Sequence, residues 1–375
     1  MEVAFRTKKL EKCYRAVQRD YRSYSDLAIP PGEYLAEVLK AKGMTQAELA
    51  RRIGRPVQAV NEIIRGEKAI TAETALQLER ALAVPAHIWT GLESRYQLIK
   101  ARIEEKKQLK QESTVASRIP YKQLAELKCV DQTRDPEHKV RELHRFYGVS
   151  SLANVPETRT YQASFRCGRG REASGYALAA WIRCAELRAA EIRTNTFDKK
   201  KLRSALSEIR SLSLTPPEVF EPRIAEILAK CGVAFVLLPH FPKTYANGAT
   251  FWVKTDKAVL LMSIRGKWED IFWFSLFHEI GHLVLHGKKT FIDDDGAVPE
   301  LADKEKEADE FATNALIPPG SFAEFIRRKD FTEASIKTFA REIGIPAGVV
   351  IGRLQHEELL GCDSDLNRLH RKYIM

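Results

Sequence analysis

Apolar residues recur at helical spacing through residues 31–111, and the pattern is punctuated by capping residues. PGEYLAEVLKAKG is amphipathic and stops at Gly43. Thr45 is an N-cap, and Glu48 three residues on completes a capping box for TQAELARRI, which Gly54 ends. Pro56 takes the first position of PVQAVNEIIRG, which ends at Gly66. Thr71 caps TAETALQLERAL, and a long charged helix follows Pro85 into KARIEEKKQLKQE. Between 112 and 230, YALAAWIRCAELRAAEIR and DKKKLRSALSEIRSL keep helical periodicity, while Pro156, Pro216, Pro217 and Pro222 interrupt. No catalytic spacing shows there. From 231 the pattern changes to short β-type runs, VAFVLLP, GATFWV and AVLLMSI. An apolar helix over about 270–286 follows, then one over about 302–316 stopped by Pro318 and Pro319, then further helices. The expected architecture is multi-domain and mainly α. It comprises a basic segment 1–27, an all-α bundle 28–111, a helical middle region 112–230, and an α+β domain 231–375 with a small sheet.

Composition narrows the class. With 375 residues, 44% hydrophobic and 29% charged, the chain is an ordinary globular sequence of two or three domains. No apolar stretch reaches the ~18 residues of a membrane span, and the N-terminus lacks the apolar core of a secretory signal. Cys13, Cys129, Cys167, Cys184, Cys231 and Cys362 are scattered without a CxxC pair, as expected for reduced thiols in the cytoplasm. The net charge of +10 is uneven: residues 1–111 hold 21 Lys and Arg against 14 Asp and Glu. Such a field suits a polyanion partner, although a solvated basic face would look the same.

Two short helices joined at Gly54 make a helix-turn-helix pattern. Ala50, Ile53, Val60 and Ile63 have the spacing to hold the pair together, leaving Gln58, Ala59, Asn61 and Glu62 to solvent for the major groove. Gln46, Arg55, Arg65 and Lys68 are the candidate phosphate contacts. The other reading of these helices is a protein-interaction bundle. TQAELARRIG…VNEIIRG resembles the XRE-type helix-turn-helix of phage-repressor-like regulators. ITAETALQLERALAVPAHIWTGLESRYQ resembles HigA-type antitoxins, so the likeness spans about 28–100. Val57 and Ala59 depart from it by placing small apolar groups where polar readers are usual.

The sharpest chemistry is FSLFHEIGHLVLHG, residues 274–287. His278 and His282 lie four apart on one helical face and so can share a zinc ion, with Glu279 as the base that takes a proton from water at the metal. The competing reading is a pair of core histidines beside a paired glutamate. A third ligand is expected from DKEKEADEFATNALIP: Glu305 and Asp309 share a face, so Glu305 would bind the metal and Asp309 would accept a ligand-histidine N–H. Glu307 points elsewhere on that helix and is the alternative ligand. His286, ~12 Å along the axis from His278, is too far to ligate and is read as a supporting or helix-end residue. Tyr245, His240, Arg265 and His286 are candidate oxyanion donors.

HEIGHLVLHG followed by ExxADxFAxxxLIP resembles the ImmA/IrrE family of zinc metallopeptidases over about 231–318, and FAREIGIPAGVVIGRLQ resembles that family's closing helices. The resemblance implies a gluzincin-like fold, Zn2+ held by His278, His282 and Glu305, Glu279 as general base, and repressor-type protein substrates. The combined expectation is a cytoplasmic, DNA-binding regulator and zinc endopeptidase. It would cleave a repressor or antitoxin at a mobile-element, stress-response or toxin–antitoxin locus. Double-stranded operator DNA, the protein substrate and a cognate toxin are the expected partners, with no membrane, and a homodimer would match a two-fold operator. The alternative is a HigA-like repressor whose zinc domain is structural or ligand-sensing.

Overall fold

The structure is a computed structural model that describes residues 27–158, 161, 175–244, 246–263, 268–287, 290–293 and 302–373. It divides into two compact units, one ending at Gln111 and the other beginning at Glu112. None of the described helices is long and apolar enough to cross a membrane.

The first unit contains α1 (Pro31–Ala41), α2 (Gln46–Ile53), α3 (Val57–Ile64), α4 (Ala72–Leu82) and the start of α5 (Ala86–Ala116). Thr45 accepts the Glu48 N–H and Thr71 accepts the Thr74 N–H, so both expected N-caps form. The capping box is only half made, because Glu48 turns its carboxylate to Arg51 and Arg52 at 2.7 and 2.8 Å. Pro56 serves as N-cap of α3 rather than its first residue. Gly54, at φ 66, supplies the left-handed turn between α2 and α3. Leu35, Leu49, Ala50, Ile53, Val60, Ile63, Leu78 and Trp89 form the core. Gly32 lets α1 press on α3, since a Cβ there would lie 2.1 Å from the Ile63 carbonyl. Buried Glu93 accepts the Ile70 N–H at 2.9 Å and fixes α5 to the loop before α4.

The second unit continues with α6 (Tyr121–Glu126), α7 (Pro136–Tyr147), α8 (Gly175–Glu191), α9 (Lys199–Ser211) and α10 (Pro217–Lys230). Strands β1 (Val233–Leu238), β2 (Gly248–Lys254) and β3 (Lys257–Ser263) precede α11 (Glu269–Leu285). Then come β4 (Phe291–Asp293), α12 (Ala302–Leu316), α13 (Pro319–Arg327), α14 (Glu333–Ile343) and α15 (Ala347–His356). Pro222 does not interrupt: Pro216 caps α10, Pro217 opens it, and the helix runs through Pro222. Phe220, Ile224, Ile227 and Leu228 of that helix are buried in the core, and this packing outweighs the lost hydrogen bond.

The sheet order is β1-β3-β2-β4, with β1 parallel to β3 and the other pairs antiparallel. Three of these strands are the expected apolar runs. The fourth, β4, spans three residues and is too short to leave an alternating pattern. α11 is buried along almost its whole length, and its core includes Phe220, Leu260, Trp273, Phe277, Ile280, Leu316 and Ile351. The core also reaches back to Leu202 and Ile209 of α9, so part of the region before 231 belongs to the same packed body.

Candidate metal centre and helix-turn-helix surface

α11 and α12 face each other closely because Gly281 presents no side chain. A Cβ there would lie 3.1 Å from the Phe311 ring and 3.4 Å from the Ala308 Cα. That approach brings His278, His282 and Glu305 together. The Nε2 atoms of the two histidines are 2.9 Å apart, and Glu305 Oε2 lies 3.1 and 3.2 Å from them.

Second contacts fix the protons. His278 Nδ1 lies 2.8 Å from Asp309 Oδ1, so this nitrogen donates and Nε2 keeps its lone pair. His286 Nε2 lies 2.9 Å from Glu307 Oε2 and donates to it, which leaves His286 Nδ1 to accept. His282 Nδ1, 3.1 Å away, then donates to it, and His282 Nε2 also keeps a lone pair. The His282 ring stacks on Phe291 of β4 at 4.0 Å, which holds its plane. Burial pushes His282 down, keeping it neutral.

Two bare imidazole nitrogens and a carboxylate oxygen thus converge. Such a cluster repels itself unless a cation sits among the three. Tetrahedral zinc with ligands at about 2.1 Å would set donors about 3.4 Å apart, close to the edges of this triangle. Donor set, protonation state and spacing all fit zinc.

Glu307 is not part of the triangle; it holds His286. Glu279 is fully buried. Its carboxylate lies against Gly248 at the start of β2, where a Cβ would come within 2.6 Å of Glu279 Cγ and Oε1. The sequence gives no reason to single out Gly248, whereas Gly281 sits visibly inside the histidine motif. His240 is exposed and His286 is engaged with His282 and Glu307. Tyr245 and Arg265 lie outside the described residues.

A groove of about 250 Å³ adjoins this face, lined by Ile271, Phe274 and Ser275 of α11, Thr313 and Leu316 of α12 and Val349 of α15. Ile271, Phe274 and Ser275 share the α11 stripe that carries His278 one turn later, and Thr313 continues the α12 stripe of Glu305 and Asp309. The floor is largely apolar.

The helix-turn-helix surface differs from expectation in several places. Ala59 is 6% exposed, because it lies on the α3 face that packs with Val60 and Ile63. Arg55 Nε donates to Gln77 at 2.6 Å and its guanidinium lies 3.6 Å from Glu73, so it joins α2–α3 to α4. Gln58 donates to Glu62 at 3.0 Å, and Lys68 lies 3.7 Å from that carboxylate. Val57, Gln58 and Arg65 are exposed, while Gln46, Asn61 and Glu62 are half-buried. Arg51 and Arg52, exposed on α2, were not among the expected contacts.

The helix-turn-helix family model matches residues 35–89. The IrrE N-terminal-like domain of the M78 peptidases matches residues 257–355, which hold the histidines and Glu305. Virulence-associated protein I of Dichelobacter nodosus is 39% identical over 72 residues, 19% of this chain and 67% of that protein. Two solved structures are also similar. A putative antidote protein of a plasmid maintenance system from Nostoc punctiforme has 30% identity and TM-score 0.22, covering 22% of this chain and 91% of its own. An addiction module antidote protein of the HigA family from Coxiella burnetii has 33% identity and TM-score 0.21, covering 22% and 92%. The chain belongs to the helix-turn-helix family of XRE type through its N-terminal part, and it carries an M78 peptidase domain, IrrE-like, in its C-terminal part. It joins a DNA-binding domain to a metallopeptidase-family domain.

Proposed function

We propose that this protein is a DNA-binding regulator whose C-terminal domain is a zinc endopeptidase acting on a repressor- or antitoxin-type protein. The observation that carries this reading is the convergence of His278 Nε2, His282 Nε2 and Glu305 Oε2 within 3.2 Å, each histidine with its other nitrogen engaged. His278, His282 and Glu305 would hold the ion, which when bound supplies Lewis acidity toward a peptide carbonyl. Glu279 takes the proton of the attacking water and delivers it to the leaving amine. Asp309, and His286 with Glu307, keep the ligand imidazoles in the tautomer that presents Nε2. The groove along Ile271, Phe274 and Val349 receives an apolar side chain of the substrate next to the scissile bond.

The domain division proposed is 28–111 for DNA and 231–375 for peptide hydrolysis, with 112–230 as a middle region whose last two helices, α9 and α10, pack into the core of the peptidase part. The DNA surface is proposed to comprise Gln46, Gln58, Asn61, Glu62, Arg65 and Lys68 on and around α3. Recruiting the peptidase to an operator raises its effective concentration near a DNA-bound target. A cognate toxin, a two-fold homodimer and a cytoplasmic location complete the proposal.

The test is co-incubation of the zinc-loaded protein with the repressor encoded beside it, followed by intact-mass analysis. Cleavage by the wild type and none by Glu279→Gln at equal zinc content is the expected result. Equal cleavage by both would remove Glu279 from the reaction. Zinc binding without cleavage by either would favour a repressor with a structural zinc domain.

A further inference from the structure

Two thiols outside the metal centre meet across 55 residues of sequence. Cys129 follows the turn that ends α6, where Lys128 sits at φ 59 and the Cys129 N–H donates to the Leu124 carbonyl at 2.9 Å. Cys184 lies within α8 and is fully buried, whereas Cys129 is half-buried. Their sulfurs are 3.2 Å apart and hydrogen-bonded, with both residues present as free thiols.

We propose that Cys129 and Cys184 form a reversible oxidation site for hydroperoxides, with Cys129 the sulfur that meets the oxidant and Cys184 the one that resolves it. The two positions suit these roles. Cys129 can be reached from solvent, and Cys184 stands behind it. A disulfide needs the sulfurs about 1.2 Å closer than they stand here. The hydrogen bond from Cys184 holds the Cys129 thiol below its usual range, against the push of burial, and Arg188 one turn beyond Cys184 adds to this. The same hydrogen bond and burial hold Cys184 far above the usual range, so Cys184 keeps its proton until it attacks.

The chemistry balances. The Cys129 thiolate attacks the outer oxygen of the hydroperoxide; an S–O bond forms, the O–O bond breaks, and the alcohol leaves with a proton. Cys184 then attacks the Cys129 sulfur; the S–S bond forms, the S–O bond breaks, and hydroxide departs as water with the Cys184 proton. The two thiols lose two electrons in total, and the hydroperoxide is reduced to the alcohol. The product ties the turn after α6 to α8, which packs on the sheet.

Treating the full-length protein with limiting hydrogen peroxide, then alkylating, digesting and mapping by mass spectrometry, tests the site. The expected result is a Cys129–Cys184 linked peptide, formed before the exposed Cys362 reacts and reversed by dithiothreitol. In Cys184→Ser, dimedone should trap a sulfenic acid on Cys129. The preference should vanish when the wild type is oxidised in guanidinium, a control that needs no folded variant. Oxidation of Cys362 first with both thiols of the pair still alkylated, or a linked peptide equally abundant in guanidinium, would overturn the proposal.

Discussion

At the scale of single residues, the triangle of His278, His282 and Glu305 depends on groups outside it. Asp309 fixes the His278 tautomer through a 2.8 Å contact. Asp309→Asn is expected to weaken zinc affinity about 10–100-fold without unfolding the protein, measured by competition with a chelating dye. Gly248 is the second such position. A methyl group there would collide with the Glu279 carboxylate. Gly248→Ala should therefore cut cleavage by about 100-fold while zinc content stays at the wild-type level; unchanged cleavage would show that Glu279 tolerates displacement. A third residue governs pH dependence. Glu269, fully buried at the start of α11, is raised to about 7, chiefly by burial, against the Arg371 N–H that it accepts. A carboxyl raised on folding keeps its proton in the folded state while the unfolded chain releases it. Stability from this group is therefore lost as pH rises between its ordinary 4.5 and about 7. The melting-temperature advantage of Glu269→Gln over wild type should grow across that window; a constant difference would contradict this.

At the scale of elements, the pairing of α11 with α12 makes the site. Gly281 is the point of closest approach, and Gly281→Val should force the helices apart, lowering stability by about 1–3 kcal/mol and abolishing zinc binding. Retained zinc affinity in that variant would mean the two helices are not set by this contact. Much at this scale was legible from the chain. Spacing alone put His278 and His282 on one face and Glu305 with Asp309 on another, because helical periodicity fixes neighbours three and four apart. It could not choose between Glu305 and Glu307, since that depends on which way α12 rotates against α11. Glu307 instead meets His286, a pairing between two helices that no local pattern encodes. β4 is not legible in sequence because three residues carry no period, and Ala59 is buried rather than exposed because one helical step decides between core and solvent. Arg55 looks like a phosphate contact in sequence because its partners Gln77 and Glu73 lie on another helix, where no local spacing reveals them.

At the scale of the whole molecule, two units of different composition carry two kinds of chemistry. The excess of positive charge up to residue 111 predicts DNA affinity that falls steeply with salt, with a log–log slope of about −0.9 per phosphate contacted. Arg65→Ala should weaken binding to all sequences alike and reduce that slope by about 1, whereas Arg55→Ala should leave the slope unchanged. The middle region stayed opaque in sequence because its helices bear no ligand spacing. Its thiol pair depends on a meeting of α8 with the turn after α6 that only the folded chain brings about. The most direct measurement of the central claim is metal content by mass spectrometry of the purified wild type, Glu305→Gln and Glu307→Gln. The account predicts one zinc per chain in the wild type and in Glu307→Gln, and near-complete loss in Glu305→Gln. Zinc retained by Glu305→Gln but lost from Glu307→Gln, or absent from the wild type after incubation with the ion, would contradict it.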